Sequence, residues 1–153
     1  MSFKTNKKFD IVIVGGGPIG IAFACEFADT KIKVAIVDKL PKSSMAYPKI
    51  DGREIAITQQ SIKILEKLNV WKFISKKSIS AIKEARVLDG DSKYFLNFTH
   101  GEINKELLGY IIPNYLIKKS LYKRLKKIKN VTLINNTECL SVNINKEHAL
   151  LKM

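Results

Sequence analysis

The residues whose types and spacing can do chemistry cluster near the start of the chain. Gly15-Gly16-Gly17-Pro18-Ile19-Gly20 fits the pattern G-x-G-x-x-G. The apolar run FDIVIV precedes it and a stretch rich in Ala and Phe follows it. That context, strand then glycine loop then helix, is what phosphate binding by such a loop requires. Gly15 permits the tight turn out of the strand, Gly17 lets backbone approach a diphosphate, and Gly20 lets helix and strand pack closely. The helix start adds unpaired amides and the positive end of a dipole. Asp38 lies eighteen positions after Gly20 and ends a second apolar run, KVAIVD. A carboxylate there can accept hydrogen bonds from ribose hydroxyls and would repel a 2′-phosphate. The site therefore suits NAD or FAD over NADP, and these residues alone leave NAD and FAD open. The competing reading is a glycine loop of another α/β protein, with Asp38 a plain strand-end acid.

Elements must hold these groups in place. Residues 9–14 and 33–38 are β-branched and apolar on both faces, as in central strands of a parallel sheet covered on both sides. With a helix over residues 21–28 they form a βαβ unit. Asp51-Gly52 marks a turn. Thr58 can cap a helix running to Leu68 that buries Ile62, Leu65 and Leu68. Residues 86–89 and 94–98 alternate as strands around Gly90-Asp91, and 108–112 is a further short strand. Asn114 can cap a helix over 115–129 with Ile117, Leu121, Leu125 and Ile128 on one face. Its other face carries Lys118, Lys119, Lys123, Arg124, Lys126, Lys127 and Lys129, read as solvated. Residues 131–134 make the next strand. Leu140, Val142 and Ile144 alternate, and 149–151 can pair back on them.

Composition bounds the function. The chain has 153 residues, 46% hydrophobic and 27% charged, enough for one domain with a real core. It contains no run of eighteen apolar residues, the length a membrane-crossing helix needs. Two cysteines, Cys25 and Cys139, do not make a disulfide scaffold, so a reducing cytoplasm is the default expectation. Lys4, Lys7 and Lys8 precede the first apolar run, but Asp10 and three glycines interrupt it, so we do not read it as a signal peptide. The net charge is +13, yet only 3 of the 27 basic residues are Arg. Nucleic-acid readers lean on the Arg fork, so we expect a basic solvated surface and no nucleic-acid partner. His100 and His148 are far apart without a metal-ligand set, and we expect no metal.

Residues 51–65, DGREIAITQQSIKIL, and the exit Leu68-Asn69-Val70-Trp71, taken with VIVGGGPIG, resemble the FAD-dependent aromatic hydroxylases of ubiquinone biosynthesis. These belong to the wider p-hydroxybenzoate-hydroxylase-like flavin monooxygenases. Leu108-Gly109-Tyr110-Ile111-Ile112-Pro113-Asn114 is similar to a third stretch of that family. The resemblance implies FAD as cofactor, NAD(P)H as its reductant, and hydroxylation of the aromatic ring of a prenylated phenol. It implies that Arg53 lies against the diphosphate, a role suited to a planar permanent cation. Asn114 stands where the family places a polar residue near the flavin; as a helix cap it would serve equally. Pro113 stands where Glu is frequent, and Asp38 where Glu is frequent. The implied cofactor-binding set is Gly15, Gly16, Gly17, Ile19, Gly20, Asp38, Arg53 and Asn114; no catalytic residue is assigned.

The implied fold is a Rossmann-like FAD-binding βαβ core with a parallel sheet, plus the first strands of an incomplete substrate-domain sheet. We expect an FAD-binding part over 1–80, an excursion toward a substrate domain over 81–112, and a return over 113–153. The family's later D-G and G-D stretches are not found in this sequence. The expectation is thus the front part of such an enzyme, inactive alone, with a second chain supplying the remainder as one arrangement. The alternatives are a non-catalytic dinucleotide-binding remnant and an unrelated basic binding module. The strands over 86–98 are expected to lack the later partners that would complete their sheet, and to be weak. Lipophilic substrates in the family make peripheral membrane contact a compatible expectation.

Overall fold

A computed structural model describes residues 7–99, 101 and 106–153. The elements in chain order are β1 (Ile11–Val14), α1 (Pro18–Cys25), β2 (Val34–Val37), α2 (Lys42–Ala46), β3 (Glu54–Thr58), α3 (Gln59–Lys67), β4 (Ser80–Ile82), β5 (Glu84–Leu88), β6 (Phe95–Thr99), β7 (Gly109–Pro113), α4 (Asn114–Leu125), β8 (Val131–Ile134), β9 (Ser141–Ile144) and β10 (Ala149–Lys152). They divide into two compact units, 1–49 with 118–153 and 50–117.

The first unit holds a parallel sheet in the order β1-β2-β8. Val34 pairs with Ile11 on one side and Val131 on the other. Every residue of β2 is buried, which is why its sequence is apolar without alternation. We expected β1 to be covered on both faces as well. One of its faces is instead open, with Val12 37% and Val14 57% exposed, and among the described residues it is an edge of this sheet. β2 is the central strand of this sheet, because of its three described strands it alone has ladder partners on both sides. Ile21, Ala24 and Cys25 form the buried side of α1. That helix begins three residues earlier than the apolar spacing suggested, because Pro18 at its first position already has the helical φ. It also stops earlier. The amides of Glu26, Phe27 and Ala28 bond back three residues, to Phe23, Ala24 and Cys25, tightening the exit into turns. β9 and β10 pair as an antiparallel hairpin.

The second unit contains a three-stranded antiparallel sheet in the order β3-β7-β4. Sequence reading missed β3, because Glu54–Thr58 runs straight into a helix and gains its ladder only from β7, some fifty residues away. Thr58 caps α3 as expected, its Oγ1 accepting from the Ser61 amide at 3.3 Å. Ile62 and Leu65 face inward. β5 and β6 form a separate two-stranded sheet. Val87, Leu88, Phe95, Leu96 and Phe98 stay exposed on it.

α4 buries Ile117, Ser120, Leu121, Tyr122 and Leu125, matching the apolar stripe. It ends at Leu125, before residue 129, since Lys127 and Ile128 bond back only three residues. No helix among the described residues is long and apolar enough to cross a membrane.

Candidate functional site

In the first unit, the Gly15 amide donates to Val37 O at 2.8 Å, tying the glycine loop to the end of β2. Gly15 has φ +107°, a conformation that side chains resist, so glycine is required there. Gly17 is the residue before α1, in extended conformation, and α1 has no side-chain cap. The first-turn amides of Ile19 and Gly20 therefore lack intrahelical acceptors. A Cβ built on Gly17 would meet nothing within 4 Å. One built on Gly20 would strike the Gly15 carbonyl oxygen. The two glycines do different work: Gly20 is needed for packing, while Gly17 keeps a surface open. Beside them an apolar depression is lined by Ile13, Val14, Pro18, Ile19 and Phe23. Ile19 is 85% exposed on it.

Asp38 sits at the end of β2, beside this loop. Its Oδ2 accepts from the Gly16 amide at 2.6 Å and its Oδ1 from the Leu40 amide at 2.7 Å. Its own backbone is pinned to Ile134 O and to the Thr137 amide. A carboxylate has about four lone-pair directions, so two bonds leave capacity for ribose hydroxyls. Buried Met45, on α2, lies over Gly16: a Cβ there would strike its Cε. Asn135 Nδ2 contacts Met45 Sδ at 3.6 Å and donates to Leu40 O at 3.1 Å. A methionine in this sequence reads as core, and Met45 is buried.

Arg53 and Asn114 belong to the second unit, and the structure joins them through a residue first read only as a turn marker. Asp51 Oδ2 accepts from Arg53 Nε at 2.9 Å, Arg53 Nη2 at 2.6 Å and Asn114 Nδ2 at 2.8 Å. The Arg53 amide reaches Asp51 Oδ1 at 3.2 Å, and the Asn114 amide donates to Arg53 O at 2.9 Å. These bonds, from Arg53 first and Asn114 second, hold the Asp51 carboxyl well below the usual carboxylate range. Asn114 is buried, and its side-chain amide goes to Asp51. The signal available in the sequence was the i, i+2 spacing of acid and Arg across a glycine.

The histidines and cysteines are placed as follows. His148 Nε2 lies 3.1 Å from Asn145 Nδ2 in the β9–β10 turn, and His100 lies outside the described residues. Among the described residues no group of three His, Cys, Asp or Glu could hold a metal. Cys25 is buried, and burial pushes its thiol up to about 11.

Comparison with known proteins gives the family. Residues 2–98 match the family model described as pyridine nucleotide-disulphide oxidoreductase. The ubiquinone hydroxylase UbiM of Neisseria meningitidis is 36% identical over 133 residues, 84% of this chain and 29% of that protein. The ubiquinone hydroxylase UbiL of Rhodospirillum rubrum is 30% identical, over 84% of this chain and 30% of that protein. The chain thus spans about three-tenths of the length of these relatives. Among solved structures, the flavin-dependent monooxygenase PieE, described in complex with FAD and substrate, superposes with a TM-score of 0.70. It is 13% identical, with 94% of this chain and 26% of that one covered, so it speaks to the fold alone. The match over residues 2–98, on a parallel sheet that carries a glycine loop at a helix start, means that the chain belongs to the pyridine nucleotide-disulphide oxidoreductase family.

Proposed function

We propose that this chain binds FAD and forms the dinucleotide-binding part of an aromatic hydroxylase acting on a prenylated phenol precursor of ubiquinone. The observation that carries the reading is the pair of glycines at α1, with Gly17 open and Gly20 closed by the Gly15 carbonyl, on a helix start without a side-chain cap. FAD fits these groups. Gly17 and the amides of Ile19 and Gly20 would hold the diphosphate, and Gly15 shapes the turn. Asp38, already fixed by Gly16 and Leu40, would accept from a ribose hydroxyl. Arg53 would neutralise phosphate charge, and Asn114 would stand near the flavin. Bound FAD would supply the redox chemistry of hydroxylation, with NAD(P)H as the electron source.

What this chain's own residues do is bind and orient. None of the candidate groups is a general acid, a general base or a nucleophile. That favours one second reading, a chain that binds the dinucleotide without turning over by itself. The segment 81–112 is proposed to reach toward a substrate domain, and the names of the relatives supply the substrate class.

The test is flavin uptake. The purified chain is mixed with FAD, desalted and scanned for bound flavin absorbance, then compared with Arg53→Ala. Wild type should retain flavin. Losing charge-assisted bonds should weaken Arg53→Ala by about tenfold to a hundredfold. A wild-type chain that releases all flavin would remove the proposal, and undiminished uptake by Arg53→Ala would remove the role of Arg53.

A further inference from the structure

We propose that Asp51 is the positioning residue for Arg53, holding the guanidinium by one edge so that its other edge is presented to a diphosphate. This rests on the reading of Arg53 as a diphosphate contact. Arg53 has a long side chain, 64% exposed, and without a partner it would sample many rotamers. Asp51 engages it side-on through Nε and Nη2. Nη1 makes no hydrogen bond among the described residues, and it is the edge left for an anion. Asp51 Oδ1 also accepts from the Arg53 amide, and the Asn114 amide donates to the Arg53 carbonyl oxygen, so the residue is gripped along its backbone as well.

The grip links distant parts of the sequence. Gly52, with φ +68°, makes the tight turn between Asp51 and Arg53. Asn114, sixty-three positions after Asp51, donates to the same Oδ2. The Asp51 side chain is 25% exposed, and both of its oxygens are engaged. Because these bonds favour the ionised carboxylate, the latch stays charged across neutral pH.

Two effects of Asp51 on an anionic ligand have opposite sign. Its own negative charge opposes a nearby diphosphate, whereas its hold on Arg53 favours one. If Asp51 were only a bystander charge, removing it would tighten FAD binding. If it positions Arg53, removing it weakens binding, and only while Arg53 is present.

The experiment is a double-mutant cycle on the full chain. FAD affinity is measured by flavin fluorescence for wild type, Asp51→Ala, Arg53→Ala and the double variant, with thermal unfolding as the folding check. Asp51→Asn, which keeps the shape, replaces Asp51→Ala if that variant does not fold. Asp51→Ala should lose about tenfold in the wild-type background and less than about twofold on Arg53→Ala. Equal losses in both backgrounds, or tighter FAD binding by Asp51→Ala, would overturn the proposal. A second readout needs no flavin, namely the Arg53 Nε–H resonance of the free chain. It should be resolved and slow to exchange in wild type and averaged in Asp51→Ala. An Nε–H signal unchanged by Asp51→Ala overturns the positioning role. Absence of FAD binding by wild type, with the Nε–H effect present, removes the proposed function while leaving Asp51's hold on Arg53 intact.

Discussion

Replacing Gly20 by alanine puts a methyl group where the Gly15 carbonyl oxygen already sits, with Ile13 Cγ2 only 3.2 Å away. The carbonyl cannot swing aside cheaply, since the amide of the same residue is bonded to Val37 O at 2.8 Å. Helix α1 must therefore move off the sheet. Overpacking of this kind costs about 1–3 kcal/mol, and a backbone neighbour argues for the upper end. Alanine regains about 1 kcal/mol of helix propensity, leaving a net loss of about 2 kcal/mol. For a domain of 60–100 residues that lowers Tm by on the order of 10 °C. Gly17→Ala is the control. A Cβ there meets nothing within 4 Å, and its φ of −73° suits any residue. The entropic gain of about 0.4–1 kcal/mol and the slightly poorer capping of alanine nearly cancel, so Tm should hold. FAD affinity should nonetheless fall by about tenfold, because the methyl group stands between backbone and diphosphate. Circular dichroism melts and flavin fluorescence titrations on the same samples separate the two effects. Gly17→Ala with full FAD affinity, or Gly20→Ala with an unchanged Tm, would refute the division of labour.

Three further outcomes follow from the same structure. Folding lowers the pKa of Asp51, so its stabilisation is complete above the unfolded value of about 4 and is lost as pH falls through the folded one. Asp51→Asn should therefore flatten the stability profile below about pH 4, and superimposable acid limbs would contradict the ion pair. With Cys25 buried and its thiol pushed up to about 11, a disulfide reagent at about pH 8 should label Cys139 quickly and Cys25 only after unfolding. Fast labelling of both thiols would contradict that burial. Amides of β5 and β6 should exchange well before those of β2, since a two-stranded sheet with exposed apolar faces is marginal. Equal protection in β2 and β6 would show that the hairpin is not the weak part.

Much of the candidate site's local arrangement was legible in residue order, because its contacts are short-range in the chain. A glycine loop between an apolar run and a helix, followed by an acid, works through backbone placed within thirty residues, and Asp38 does reach Gly16. Thr58 was readable for the same reason, as a cap acts within one helical turn. Strand β2 declared itself by unbroken apolarity, the mark of burial on both faces. What one dimension could not contain were partners chosen by folding. The pattern in β1 is as apolar as that in β2, yet only the ladders decide that β1 is the edge and β2 the centre. β3 became a strand through β7, a pairing that no local pattern announces. Asp51 looked like a turn residue until the fold brought Asn114 to the same carboxylate oxygen as Arg53. Local order determines which backbone can bend and which face is apolar; only the tertiary structure decides which distant groups share one acceptor, because hydrogen bonds depend on positions in space and not on separation along the chain.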